Sequence, residues 1–289
     1  MSSSSSEDSS PLISLADAAE ELGVHYMTAY RYVRTGRMYA VKRGGKWWVE
    51  QDAVEAVREE GIGVRRSSAD GELRTLQVEP FATRLLAGDA GGCWDLITDA
   101  LRAGAAPAEV HRRLLHPALI QIGDQWADGE ITIAAEHRAT ATANRLIGQM
   151  GPLFRHPGRR RGTCVIGTVS GDPHSLPSAM LGDLLADRHL DVVDLGANTP
   201  PESFVETAAE VDDLVGVGVC VVLDRRIDAA VDTLAQIRDA MPSTLLVAGG
   251  PAVARNRERF AELADHLTET GDEACDAFEA AALGSEPST

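Results

Sequence analysis

The chain has 289 residues, 44% of them hydrophobic, and a formal charge of −17. That length allows two or three domains with cores of their own, and no apolar run approaches the roughly 20 residues needed to cross a bilayer. Four scattered cysteines (Cys93, Cys164, Cys220, Cys275) with no Cys-x-x-Cys pair argue against a disulfide framework and for a reduced, cytoplasmic setting.

Residues 1–10 are Ser-rich, with neither a basic nor an apolar segment, so a disordered tail is expected there and not a signal peptide. Charge is unevenly spread along the chain. Residues 1–66 hold nine Lys/Arg against ten Asp/Glu, and the remainder carries almost all of the negative excess. Between Glu21 and Glu50 there is no acid, while Arg31, Arg34, Arg37, Lys42, Arg43 and Lys46 all fall there. A basic island in an acidic chain is an electrostatic footprint for phosphate.

The first block, residues 11–60, predicts a winged helix-turn-helix. Ser14-Leu15-Ala16-Asp17 opens a helix with a capping-box pattern, and Gly23 turns the chain. A second helix is expected from about His25 to Arg34, ended by Gly36. Tyr39–Lys42 and Lys46–Val49 flank Arg43-Gly44-Gly45 as a hairpin, and Asp52 is expected to cap a last helix through Val57. Tyr26, Thr28, Arg31 and Arg34 on the second helix, with Arg43 and Lys46 on the wing, are the candidate DNA contacts. The other reading is a small adaptor with a solvated basic face. Residues 61–74, rich in Gly and Ser, read as a flexible linker.

Residues 75–156 predict an all-α bundle of four or five helices, at 81–86, 93–101, 108–115, 117–126 and 134–150. Asp128-Gly129 makes a turn, so Trp126 at one helix end and Glu136-His137 at the next helix start share one end of the bundle. An indole, a carboxylate and an imidazole gathered there suit a ligand cap; a core Trp with a capping Glu has the same pattern.

Residues 160–284 alternate strand and helix. Strands are expected at 163–169, 191–195, 214–221, 244–248 and 266–268, with helices at 178–187, 201–210, 227–240, 254–264 and 272–283. That is a doubly wound, five-stranded parallel sheet of flavodoxin-like type. Its ligand edge carries the loops at 172–177, 220–226 and 249–251. In the first loop Asp172 is placed to hold one nitrogen of His174 and leave the other for a metal. Gly249-Gly250 removes side chains where a flat ligand would press on backbone.

Three sets of residues carry a resemblance. Leu15-Ala16-x-Ala18-Ala19-x-x-Leu22-Gly23-Val24 and Thr28-x-Tyr30-Arg31-Tyr32-Val33-Arg34-x-Gly36 resemble the DNA-binding domains of the MerR and excisionase superfamily. Asp172-x-His174, Asp194-Leu195-Gly196, Cys220-Val221-Val222 and Gly249-Gly250 resemble a cobalamin-binding domain. With nine residues between Trp126 and Glu136-His137, the chain looks like the CarH/LitR group of adenosylcobalamin-dependent photoreceptor repressors over about residues 12–283.

The resemblance implies His174 as lower cobalt ligand, oriented by Asp172 and followed by Ser175. Cys220, Val222, Gly249 and Gly250 would lie beside the displaced cofactor tail, and Trp126, Glu136 and His137 on the upper, adenosyl face. It implies no catalysis, a dimer or tetramer of the chain on double-stranded operator DNA, and release by light when the cobalt–carbon bond breaks. Three departures bear on ligand choice: Pro177 replaces a motif glycine, Cys220 a serine, and Ala127 the histidine that captures cobalt after photolysis. A cobalamin-independent sensor, one for another tetrapyrrole or small molecule, or a corrinoid methyl-transfer carrier are the alternatives.

Overall fold

The computed structural model describes residues 11–24, 26–34, 38, 40–59 and 77–284, in two compact units that divide between Asp70 and Gly71. The expected tail, His25, Gly36 and the 61–74 linker lie outside the described residues.

The first unit runs β1 (Leu12–Ser14), α1 (Leu15–Glu21), α2 (Tyr26–Arg34), β2 (Ala40–Arg43), β3 (Lys46–Glu50) and α3 (Gln51–Glu59). Ser14 caps α1, its hydroxyl accepting from Asp17 N–H at 3.2 Å. Gly44 and Gly45, at φ 60° and 78°, form the tight turn of the β2–β3 hairpin, which only glycine enters cheaply twice in succession. Leu15, Ala18, Leu22, Ala29, Met38, Val49, Val54 and Val57 close one small core.

Two local expectations change here. Strand β1 is too short to show a period of its own; it forms by pairing Leu12–Ser14 antiparallel to Trp48–Glu50. Asp52 stands in the first turn of α3, which begins at Gln51, so it favours the positive helix end without being the cap.

The second unit begins with a helical bundle of α4 (Val78–Ala87), α5 (Ala90–Arg102), α6 (Pro107–Val110), α7 (His116–Ala127) and α8 (Ile133–Met150). Asp89 caps α5 by accepting from Gly92 N–H at 2.8 Å. A π-helical turn, His111–Leu115, joins α6 to α7 without a break. The two helices expected at 108–115 and 117–126 are therefore one continuous run. Pro117 falls in the first turn of α7, just past the π-turn, where its missing N–H is tolerated.

The α/β layer then runs β4 (Thr163–Thr168), α9 (Leu176–Asp187), β5 (Asp191–Asp194), α10 (Pro201–Ala209), β6 (Leu214–Cys220), α11 (Ile227–Ala240), β7 (Leu245–Gly249), α12 (Pro251–Arg255), β8 (His266–Thr268) and α13 (Gly271–Gly284). The strands are all parallel, in the order β5-β4-β6-β7-β8. The helix expected over 254–264 is short instead. Asn256 leaves the helical conformation and its amide donates to Ala252 O at 2.9 Å, competing with the backbone ladder.

Alternation along the strands feeds two cores. On one face Cys164, Ile166 and Val247 pack with α9 and α13, and this core continues unbroken into the bundle through Phe154, Leu146 and Phe81. On the other, Val165, Val217 and Leu246 meet Phe204, Leu234, Ile237 and Phe260. A parallel sheet must be covered on both faces, and here the bundle shares the covering of one.

Candidate functional site

The loop after β4 is built around Asp172, which is fully buried. Its Oδ1 lies 2.6 Å from His174 Nδ1, and its Oδ2 accepts from Val222 N–H at 2.9 Å and Leu223 N–H at 3.0 Å. Burial penalises the charge, but the bonds from the imidazole and the backbone N–H groups outweigh it and hold the carboxyl below its usual range. Asp172 thus ties the β4 loop to the β6 loop and fixes the tilt of one ring. His174 itself is 44% exposed, and Thr168 Oγ1 donates to its carbonyl at 2.9 Å. With Nδ1 committed, Nε2 is the ring atom left to meet a ligand.

Sequence reasoning missed several supports of this loop. Gly171 adopts φ 76°, its N–H donates to Asn198 Oδ1 at 2.6 Å, and a side chain there would meet the Arg226 guanidinium at 2.5 Å. Asn198 belongs to the β5–α10 connection and Arg226 to the β6–α11 connection, so no local pattern signals either one. Ser175 precedes α9 and accepts through its carbonyl from Ser178 Oγ at 3.0 Å.

The three departures find structural settings. Pro177 lies in the first turn of α9, where its absent N–H costs no helical bond. Cys220, at the end of β6, is buried, and burial with the charges of Asp194 and Asp172 pushes its thiol up to about 12, so it stays protonated. Ala127 is exposed at the end of α7. The glycine pair has a reason of its own. A Cβ at Gly249 would meet Thr268 Oγ1 at 2.6 Å, and one at Gly250 (φ 108°) would meet Val221 O at 2.5 Å. Close packing of the β7 loop on its neighbours already requires both glycines.

At the bundle end Trp126 is 50% exposed, although large apolar side chains are usually buried. Six residues on, Thr132 caps α8 by accepting from Ala135 N–H at 3.2 Å. Glu136 in the first turn of α8 bridges His137 Nδ1 at 2.6 Å and Thr140 Oγ1 at 2.7 Å. The structure therefore brings Asp172, His174 and Val222 into direct contact, and separately Glu136 and His137.

In the first unit Tyr26 is 40% exposed and stacks parallel to Tyr30, which in turn meets Trp47 at 6.0 Å. Thr28 is half-buried on the same helix, and Arg43 and Lys46 are exposed at the hairpin tip. Arg31 and Arg34 lie on α2, with side chains outside the described residues.

Comparison with known proteins gives each part a relative. Residues 162–279 match the B12 binding domain, residues 77–150 a second B12 binding domain family, and residues 12–61 a helix-turn-helix domain. The chain is 31% identical over 178 residues to the HTH-type transcriptional repressor CarH of Myxococcus xanthus, covering 59% of this chain and 56% of that protein. In chain order the three matches are a helix-turn-helix domain and then two B12 binding domain families.

The chain is also 29% identical over 120 residues to trimethylamine corrinoid protein 1 of Methanosarcina mazei, covering 40% of itself and 56% of that protein. It thus spans about half the length of each curated relative. Its bundle and sheet share the fold of the Methanosarcina barkeri monomethylamine corrinoid protein (TM-score 0.61, 19% identity, 70% of this chain and 97% of that one). Among the described residues no helix is long and apolar enough to cross a membrane.

Proposed function

We propose that this chain is a cobalamin-responsive and light-responsive transcriptional regulator, in which adenosylcobalamin held between bundle and sheet controls self-association and operator binding. The observation that carries the reading is the Asp172–His174 pair. A buried, ionised carboxylate locks one imidazole nitrogen, and the other stands on a half-exposed ring at the carboxyl edge of a parallel sheet. This donor set fits cobalt. His174 is the proposed ligand and Asp172 its orienting partner. Ser175, Cys220, Val222, Gly249 and Gly250 are proposed along the tail, and Trp126, Glu136 and His137 on the upper face. When bound, the cofactor supplies a cobalt centre and a light-sensitive cobalt–carbon bond.

The proposed division is a tail at 1–10, a winged helix-turn-helix at 11–60, a linker at 61–74, a bundle at 75–156 and the α/β domain at 160–284. Tyr26, Thr28, Arg31, Arg34, Arg43 and Lys46 form the proposed DNA surface, and the working form is a cytoplasmic homo-oligomer. A ligand that favours the assembled state raises DNA affinity by linkage, because two reading heads attach at once. The helix-turn-helix domain weighs against a methyl-transfer carrier, despite the likeness of bundle and sheet to corrinoid proteins.

The test is uptake of adenosylcobalamin by the purified chain in darkness, followed by absorbance, size and operator binding before and after green light. The expected result is a retained cofactor whose spectrum, assembly and DNA affinity all change on illumination. Absence of uptake overturns the cofactor; uptake without a light response limits the sensor to ligand alone. Replacing Arg43 and Lys46 with Gln is expected to lower the salt dependence of log affinity by about 1.8 while sparing cofactor uptake, and an unchanged slope removes the wing from the DNA surface.

A further inference from the structure

A second polar pair lies in the core that bundle and sheet share. His111 opens the π-helical turn between α6 and α7, is wholly buried, and packs its ring on Phe154 at 4.7 Å. Its Nε2 is 3.5 Å from Oδ2 of Asp183 on α9, the helix that leaves the His174 loop. That is near enough for attraction, yet neither His111 nitrogen nor Asp183 Oδ2 makes a hydrogen bond. Buried polar atoms are rarely left unsatisfied, and each such atom costs the folded state its lost hydration.

Their surroundings favour neutral forms of both. Burial, with the charge of Arg112 behind it, pushes His111 down to about 4. Burial pushes Asp183 up to about 7, opposed by Arg155 after the Gly151–Phe154 turn and assisted by Asp194 at the end of β5. The charges carried by α13 are engaged elsewhere: Asp272 with Arg112, Glu273 with the Glu269 N–H, Asp276 with Arg188, and Glu279 with Arg161 and Arg188. Among the described residues no Arg or Lys is paired with Asp183 Oδ2; Arg155 attracts it from farther off, and the imidazole is the nearest group an ionised carboxylate could turn to.

We propose that His111 and Asp183 carry one proton between them, passed from imidazole to carboxyl as the chain folds. In the unfolded chain, between the ordinary carboxyl and imidazole values, the imidazole holds the proton and the carboxylate is bare. On folding, the N–H bond at His111 Nε2 breaks and an O–H bond forms at Asp183 Oδ2. No net proton is exchanged with solvent and no charge is left in the shared core. The π-turn sets the imidazole at this position, with a wide bond running from His116 N–H to His111 O. The pair is a clasp whose closing is nearly indifferent to pH, although either half alone is not. It operates whatever ligand the sheet edge takes.

The linkage gives opposite signs for the two halves. A depressed His111 stabilises the folded chain above the ordinary imidazole value and loses that stability as pH falls toward 4. A raised Asp183 stabilises it below the ordinary carboxyl value and loses that stability as pH rises toward 7.

Thermal midpoints of the full chain without cofactor, at pH 5 to 8 and fixed ionic strength, read this directly. Wild type is expected to be nearly level once Asp183→Asn/His111→Gln, which lacks both groups, is subtracted. Asp183→Asn, keeping the lone imidazole, is expected to lose midpoint on acidification from 7 to 5. His111→Gln, keeping the lone carboxyl, is expected to lose it as pH rises from 5 to 7.5. Single variants that both keep the wild-type profile, or that tilt the same way, overturn the proposal. Should His111→Gln fail to fold, the slope of Asp183→Asn decides alone: a tilt toward acid loss supports the pair and a level line refutes it.

Discussion

The two ends of the proposed ligand site are built differently. At the sheet edge one buried carboxylate bonds the Val222 and Leu223 N–H groups and an imidazole, so the donor is held by three bonds that tie two loops together. At the bundle end Trp126 is half exposed, and Glu136 and His137 hold each other and Thr140 on a single helix. The sheet side is held by its own hydrogen bonds; the bundle side presents exposed surface. A ligand that gains its contacts mainly at the looser end shifts that end, which is what a switch requires.

The comparison can be broken by removing the tie at the sheet edge. Asp172→Ala strands the Val222 and Leu223 N–H groups in the interior and is expected to cost about 3 kcal/mol of unfolding free energy in denaturant titrations. A loss under about 1 kcal/mol would mean that the loop is held by something other than this carboxylate. Gly171→Ala forces an L-residue to φ 76° against the Arg226 guanidinium, with an expected cost of roughly 2 kcal/mol by the same measurement.

Acid sharpens the contrast further. Because the folded state depresses the Asp172 carboxyl, its contribution is complete above the ordinary carboxyl value and is lost as pH falls through the depressed one. The stability gap between wild type and Asp172→Asn is therefore expected to narrow as pH is lowered below 4, followed by denaturant midpoints. A gap that stays constant would show that charge contributes nothing to the tie.

The smallest effects on stability fall on the ring and the indole. Trp126→Ala and His174→Ala remove exposed groups and are expected to change unfolding free energy by no more than about 0.5 kcal/mol. Both are expected to weaken cobalamin retention, His174→Ala with loss of the spectral signature of imidazole ligation. Destabilisation by Trp126→Ala of several times that size would make the indole a packing residue and not a ligand cap.

Much of this chain is legible from local chemistry. Strand–helix alternation after residue 160 predicted all five strands within about two residues, because apolar runs of β-branched residues bounded by Gly, Pro and Asp have few other uses. Ser14 and the Gly44-Gly45 turn were readable for the same reason: caps and tight turns are chosen by the residues that form them. The Asp-x-His spacing by itself placed the imidazole beside its carboxylate.

What the sequence did not disclose lies wherever distant segments meet. Strand β1 exists only through β3, and the Gly249-Gly250 pair answers to Thr268 and Val221 inside the protein. Asp172 is anchored by N–H groups about fifty residues away, and the π-turn at His111 joins the two helices expected at 108–115 and 117–126. Local propensity depends on each residue's own torsions and near neighbours, so it determined the elements and their order. Burial and the satisfaction of buried polar groups depend on which surfaces come together, and only the tertiary structure decided those.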